Sequence, residues 1–269
     1  MSEPKNVTIQ VAGIDVAMLR GGAGKPLLVL HDELGFAGWL QWARELASGH
    51  DLIVPLQPGF GQTPRVEWAS DYRDLASFYL QLVRELDLRP VDILGFSAGG
   101  YIAAEMAAAS PESVANLILV APLGIRPREG EIFDFFAVTG RSHLEATVAR
   151  WDAPEASSVY GGYDGQISPE QFQLFESARA ETSRLGWEPF MFSPSLPYRL
   201  NGLRDVRSLI IWGDADRIVP EGCVTEYERS IPGARVEVLS GCGHRPEVES
   251  AAEFVKLVDG FLGSSAKQV

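Results

Sequence analysis

The chain has 269 residues, 46% of them hydrophobic, with 23 Lys and Arg against 36 Asp and Glu, for a net charge of -13. A chain of that length can bury one large core with a small accessory layer, and its acidic surface repels phosphate backbones and anionic lipids, which excludes nucleic acid as a partner. The start Met1-Ser2-Glu3-Pro4-Lys5 lacks the apolar stretch of a secretory signal, and the longest apolar runs (Leu27 to Leu30, Leu117 to Ala121) are too short to span a bilayer. A cytoplasmic protein with no membrane partner is therefore expected. Cys223 and Cys242 form neither a Cys-x-x-Cys pair nor a Cys/His ligand spacing, so no metal site or disulfide is specified. No cofactor is expected, and the sequence does not report an oligomeric state.

In chain order, Val7 to Ala12 and Ile14 to Leu19 flank Gly13 as a hairpin at a sheet edge. Beyond the glycine-rich residues 21–24, Pro26 to Leu30 is a continuous apolar run, as in strands covered on both faces. The pattern recurs at Asp51 to Pro55, Val91 to Leu94, Val114 to Ala121, Arg207 to Trp212 and Arg235 to Leu239. Helical patterns at Leu40 to Ala47 and Asp71 to Leu86 lie between some of these runs. Strand alternating with helix predicts an α/β fold with right-handed crossovers and a mostly parallel sheet flanked by helices. From Ile125 to Arg204 strand runs give way to helical segments and aromatic clusters. Residues 125–204 are accordingly read as a helical cap inserted between sheet strands, with 1–124 and 205–269 forming the core.

The sequence Gly95-Phe96-Ser97-Ala98-Gly99 follows a buried strand and precedes an alanine-rich helix pattern, Gly100 to Ala109. That context turns a short Gly-x-Ser-x-Gly match into a nucleophile elbow, a tight strand-to-helix turn that exposes a serine hydroxyl beside helix N-terminal amides. A hydroxyl needs a base, and the base an orienting acid. His244, in Gly241-Cys242-Gly243-His244, follows a strand at the sheet edge where Ser97 emerges, and is the base expected here. His50 and His143 read as surface residues, and His31, at the end of a strand, as a structural hydrogen-bonding residue. For the acid, Asp214 and Asp216 compete just past the Arg207 to Trp212 strand. Asp216 is favoured, and Asp214 reads as a turn-stabilising residue.

Leu30-His31, Pro58-Gly59-Phe60-Gly61, the elbow, the stretch from Gly213 to Pro220 and Gly243-His244 together resemble the α/β-hydrolase superfamily along nearly the whole chain. The resemblance is to its compact capped members, which include carboxylesterases, epoxide hydrolases, haloalkane dehalogenases and carbon-carbon bond hydrolases. Their chain order of nucleophile, acid and base matches Ser97, Asp216 and His244. The resemblance implies that the backbone amides of Glu33 and Ala98 form an oxyanion hole. It also marks a departure, because Asp32 stands where glycine is usual, and Arg245 is the counter-ion proposed for the carboxylates Asp32 and Glu33. The expected reaction is hydrolysis of a small to medium hydrophobic carboxylic ester through an acyl-enzyme on Ser97. Cleavage of a diketone carbon-carbon bond is the alternative, and a receptor or scaffold with little turnover is the reading from another class. A small-molecule substrate is the only partner expected, bound by Phe96, Phe133, Phe136, Trp187, Phe190 and Met191.

Overall fold

The computed structural model of the chain describes residues 3–156 and 168–263. Among them, β1 (Lys5–Val11), β2 (Ile14–Gly22), β3 (Lys25–Leu30), β4 (His50–Pro55), β5 (Val91–Phe96), β6 (Val114–Val120), β7 (Arg207–Gly213) and β8 (Arg235–Leu239) form one sheet in the order β1-β2-β4-β3-β5-β6-β7-β8. The edge hairpin β1-β2 and the β2-β4 pairing are antiparallel, and all other pairings are parallel. Parallel strands need crossovers over the sheet faces, so central strands are covered on both sides and tolerate few polar residues. Every residue of β5 is buried. Its one charge, Asp92, accepts a hydrogen bond from Asn116 at 2.6 Å and lies 2.9 Å from the Lys25 ammonium, which offsets part of its desolvation.

The helices are α1 (Gln41–Leu46), α2 (Tyr72–Glu85), α3 (Ala98–Ala109), α4 (Gly140–Thr147), α5 (Pro169–Gly186), α6 (Leu196–Leu200), α7 (Glu221–Ser230), α8 (Pro246–Glu249) and α9 (Ala251–Gly263). The Asp71 side chain caps α2 by accepting from the Asp74 amide. Two hydrophobic clusters lie on opposite faces of the sheet. One is built from α2, α3 and α7, and the other from α1 and α9. At roughly 1.5–3 kcal/mol for each large apolar side chain removed from water, these clusters dominate the stability of the fold.

Between β6 and β7 the described residues contain only α4, α5 and α6 and no strand, apart from a single bridge between Gly124 and Phe192. Residues 157–167 of this predicted insertion lie outside the described residues. Leu196 and Leu200 of α6 are fully buried in the α2/α3/α7 cluster, so the last helix before β7 belongs to the layer that flanks the sheet. Among the described residues no helix is long and apolar enough to cross a membrane.

Candidate active site

Ser97 sits between β5 and α3 with φ 46 and ψ -110. That combination belongs to the first central position of a type II′ turn, where glycine is preferred, and a side chain there stores about 1–3 kcal/mol of strain. The surroundings impose it. The Ser97 amide bonds to Val120 O at 2.9 Å, and its carbonyl accepts from the Tyr101 and Leu123 amides. Gly99 permits the turn, since a Cβ there would stand 2.2 Å from Leu30 O and 2.4 Å from His31 O. The first turn of α3 is thus pressed against the end of β3 and the loop carrying Asp32 and Glu33.

A second glycine contact brings in the other strand ends. A Cβ on Gly213 would meet Cys242 O at 2.3 Å and Gly243 O at 2.4 Å, so the end of β7 touches the loop bearing His244. Across this junction His244 Nδ1 donates to Asp216 Oδ2 at 2.9 Å, with both side chains essentially excluded from solvent. Asp216 Oδ1 accepts from the Ile218 and Val219 amides at 2.7 and 3.0 Å, which fixes the carboxylate. Asp214 instead ties the turn together by accepting from the Gly241 amide and the Ser240 hydroxyl. Of the two carboxylates that compete in the sequence, the structure puts Asp216 on the imidazole.

The loop after β3 holds a dense set of buried ionisable groups. Arg245 pairs with Asp32, and its Nη1 lies 3.4 Å from Glu247 Oε1. The counter-ion suggested by sequence neighbourhood therefore reaches Asp32, while Glu33 has a different partner. His143 Nε2 lies 3.3 Å from Glu33 Oε1, the His143 ring stacks on Phe135 with centroids 4.5 Å apart, and Thr182 Oγ1 donates to Glu33 O. This corrects the reading of His143 as a surface residue, since it is fully buried on α4. Nothing in the local spacing around His143 signals its contact, because Glu33 is 110 residues away. His50 is half-buried and pairs with Asp259 at the surface. His31 is neutral and structural: burial lowers it to about 4, its Nε2 accepts from the Gln57 amide and its Nδ1 donates to Asp32 O.

Burial alone would suppress the charge on His244. The charge and hydrogen bond of Asp216, reinforced by the charge of Glu33, instead raise it to about 9. For Glu33 burial acts upward, but the hydrogen bond from His143, the charges of His244 and His143 and the nearby Ser97 hydroxyl hold the carboxyl below its ordinary value. Burial pushes Asp32 up against the opposing pull of Arg245, and lifts Glu247 to about 7. Among the described residues Ser97 Oγ, His244 Nε2 and Glu33 Oε2 are buried without a hydrogen-bond partner. Glu249 is a supporting residue that the motifs do not reveal: its carboxylate accepts from the Gly243, Ala149 and Arg150 amides and so ties the His244 loop to the chain after α4.

The predicted substrate contacts fall into four environments. Phe96 packs on Trp42 and Phe254 and lines a cavity of about 20 Å³ together with Asp32 and Arg245. Phe133, Phe136 and Phe190 are half-buried against the core, with Phe136 and Phe190 edge to face at 5.5 Å. Trp187 stacks on Phe136 but is 61% exposed. Met191 is fully buried, packed toward Gly186 and Tyr72, so its position is that of a core residue. Among the described residues no cluster of His, Cys, Asp or Glu is placed to hold a metal ion.

Comparison with known proteins agrees with this architecture. The 2-hydroxymuconate semialdehyde hydrolase of Pseudomonas sp. (strain CF600) is 28% identical over 270 residues, covering 96% of this chain and 93% of the relative. The solved meta-cleavage product hydrolase of Pseudomonas fluorescens matches at 22% identity with a TM-score of 0.79, over 96% of this chain and 98% of that one. A thermophilic esterase from Thermogutta terrifontis matches at 21% identity with a TM-score of 0.74, over 97% and 98% of the two chains. With an eight-stranded, mostly parallel sheet, a serine on a strained strand-to-helix turn, and the family model for the alpha/beta hydrolase family matching residues 27–257, the chain belongs to that family.

Proposed function

We propose that the protein is a serine hydrolase in which Ser97 attacks a carbonyl carbon, His244 takes the hydroxyl proton and later returns it to the leaving group, and Asp216 orients the imidazole and stabilises its cation. The observation that carries this reading is the buried 2.9 Å His244–Asp216 hydrogen bond, taken with the strained turn at Ser97, since β5, β7 and β8, which these residues follow, are parallel strands of one sheet. The backbone amides of Glu33 and Ala98 supply the oxyanion hole, Ala98 from the first residue of α3, where the helix dipole also favours negative charge. Water then releases the acid from the acyl-enzyme. The segment that carries α4 and α5 acts as a cap, and it touches the loop after β3 through His143 of α4 and Thr182 of α5.

Two bond types suit this machinery. A neutral, hydrophobic ester is favoured by the charges of the site, where Arg245 is engaged by Asp32 and Glu33 adds a carboxylate. Carbon-carbon hydrolysis of a diketone is favoured by the relatives, among them the hydrolases of 2-hydroxymuconate semialdehyde and of meta-cleavage products. Aryl esters of increasing acyl length, assayed beside an anionic dienoate diketone and its neutral ester, separate the two. The neutral ester series is expected to turn over fastest. Ser97→Ala is expected to lower turnover by at least about 10⁴-fold, and undiminished turnover in that variant would overturn the proposal.

A further inference from the structure

Asp32 stands where the family pattern has glycine, and its side chain has a definite part in the loop after β3. Asp32 to Gly35 is a β-turn in which the Gly35 amide donates to Asp32 O at 3.2 Å and the Leu34 amide donates to Asp32 Oδ1 at 2.9 Å. Aspartate at the first position and glycine at the fourth are residues that such turns favour. The left-handed backbone of this loop falls at Gly35, with φ 98, and not at Asp32, so an aspartate in the glycine position brings no backbone strain. The two bonds take the Leu34 and Gly35 amides and leave the Glu33 amide, the one read above as an oxyanion donor.

The other carboxylate oxygen of Asp32 reaches a distant loop. Oδ2 accepts from Arg245 Nη2, and the two side chains are 6% and 4% exposed. The backbone of Arg245 is fixed in turn, because it precedes α8 and its carbonyl accepts from the Val248 and Glu249 amides, both at 3.0 Å. β3 and β8 stand four places apart in the sheet, roughly 19 Å at the usual strand spacing. One guanidinium thus joins the loop after β3 to the loop after β8, from the residue next to His244 to the residue next to Glu33. A buried ion pair adds little stability over an apolar pair of the same volume, and its best-attested use is to fix register.

We infer that the Asp32–Arg245 pair is a positioning device that holds the Glu33 amide in register with the His244 imidazole, so that one contact sets the oxyanion hole against the base. The inference rests on the reading of Ser97 as nucleophile and of the Glu33 amide as oxyanion donor. Thr182 Oγ1, donating to Glu33 O, fixes the far side of the same residue. Oxyanion donors act only when they meet the developing charge at hydrogen-bond distance. A misplacement of about 1 Å costs about 10²-fold in rate.

The test is a cycle of Asp32→Asn, Arg245→Met and the double variant, read as kcat and KM on a neutral aryl ester and as the rate of Ser97 labelling by a serine-directed phosphonate. Asparagine keeps an acceptor for the Leu34 amide and methionine fills the space of the arginine stem, so the double variant leaves neither charge of the pair behind. In the double variant kcat and the labelling rate are expected to fall together by about 10²-fold, with KM within about threefold of wild type. The fall is expected to be no larger than in Arg245→Met alone, because the two residues act as a unit. A folded double variant with wild-type kcat overturns the inference and leaves the hydrolase reading in place, and so do single-variant losses that multiply in the double. Should Arg245→Met fail to fold in either background, Asp32→Asn alone decides: a loss of about tenfold in kcat at unchanged KM is expected from the weaker neutral hydrogen bond, and unchanged kcat overturns the inference. Absence of Ser97 labelling in the wild-type protein overturns the hydrolase reading and the inference with it.

Discussion

Asp214 and Asp216 stand two residues apart on one loop and serve different ends. Asp216 spends one oxygen on the Ile218 and Val219 amides and offers the other to His244, whereas Asp214 closes a turn with Ser240 and Gly241. Asp216→Asn keeps an acceptor for those amides but disturbs the imidazole tautomer, so kcat is expected to fall by about 10⁴ in steady-state assays. Asp214→Asn is expected to leave kcat within about tenfold and to cost about 1 kcal/mol in urea denaturation, as for one ordinary hydrogen bond. At this scale the order Ser97, Asp216, His244 is legible in the chain, because each residue lies just beyond a recognisable strand. The Glu33–His143 contact is not, because it joins residues 110 apart through a segment with no strand pattern.

At the scale of elements, two glycines decide how the strand ends meet. Gly99 brings α3 against the end of β3, and Gly213 brings β7 against the His244 loop, in each case at a distance that leaves no room for a Cβ. Gly99→Ala is expected to destabilise the protein by about 3 kcal/mol, measured by chemical denaturation, because the clash is with backbone carbonyls that cannot rotate away. The strand and helix patterns of the sequence correspond closely to β3 through β8 and to α1 and α2. The exceptions have local causes. The helix after the elbow starts at Ala98 rather than Gly100, since Ser97 itself makes the turn, and the chain beyond His244 forms two helices, α8 and α9, separated at Ser250. The aromatic residues after β6 were legible as a group, but their division into core, half-buried patch and exposed Trp187 depends on how the segment folds back on the sheet.

For the molecule as a whole, the buried ionisable groups predict how stability follows pH. A group whose pKa is raised on folding holds its proton more tightly in the folded state, so its contribution is present below the unfolded value and is lost as pH climbs through the folded one. His244, raised to about 9, and Glu247, raised to about 7, both act in this sense. His31 and His143 are lowered and act oppositely, but below their ordinary value near 6.5. Between pH 7 and 9 the loss therefore dominates. Tm is expected to fall by on the order of 4 °C over that window in thermal scans, and His244→Gln is expected to flatten the fall. By itself the sequence determined the fold class, the serine on the strand-to-helix turn and the placing of Asp216 and His244 just beyond strands, because strand periodicity and turn glycines are local properties that adjacent residues enforce. Only the tertiary structure decided that Asp216 rather than Asp214 meets the imidazole, that Arg245 reaches Asp32, and that Glu33 and His143 enter the site. Those contacts join distant loops at the carboxyl ends of parallel strands, where crossovers bring together side chains that no local pattern connects.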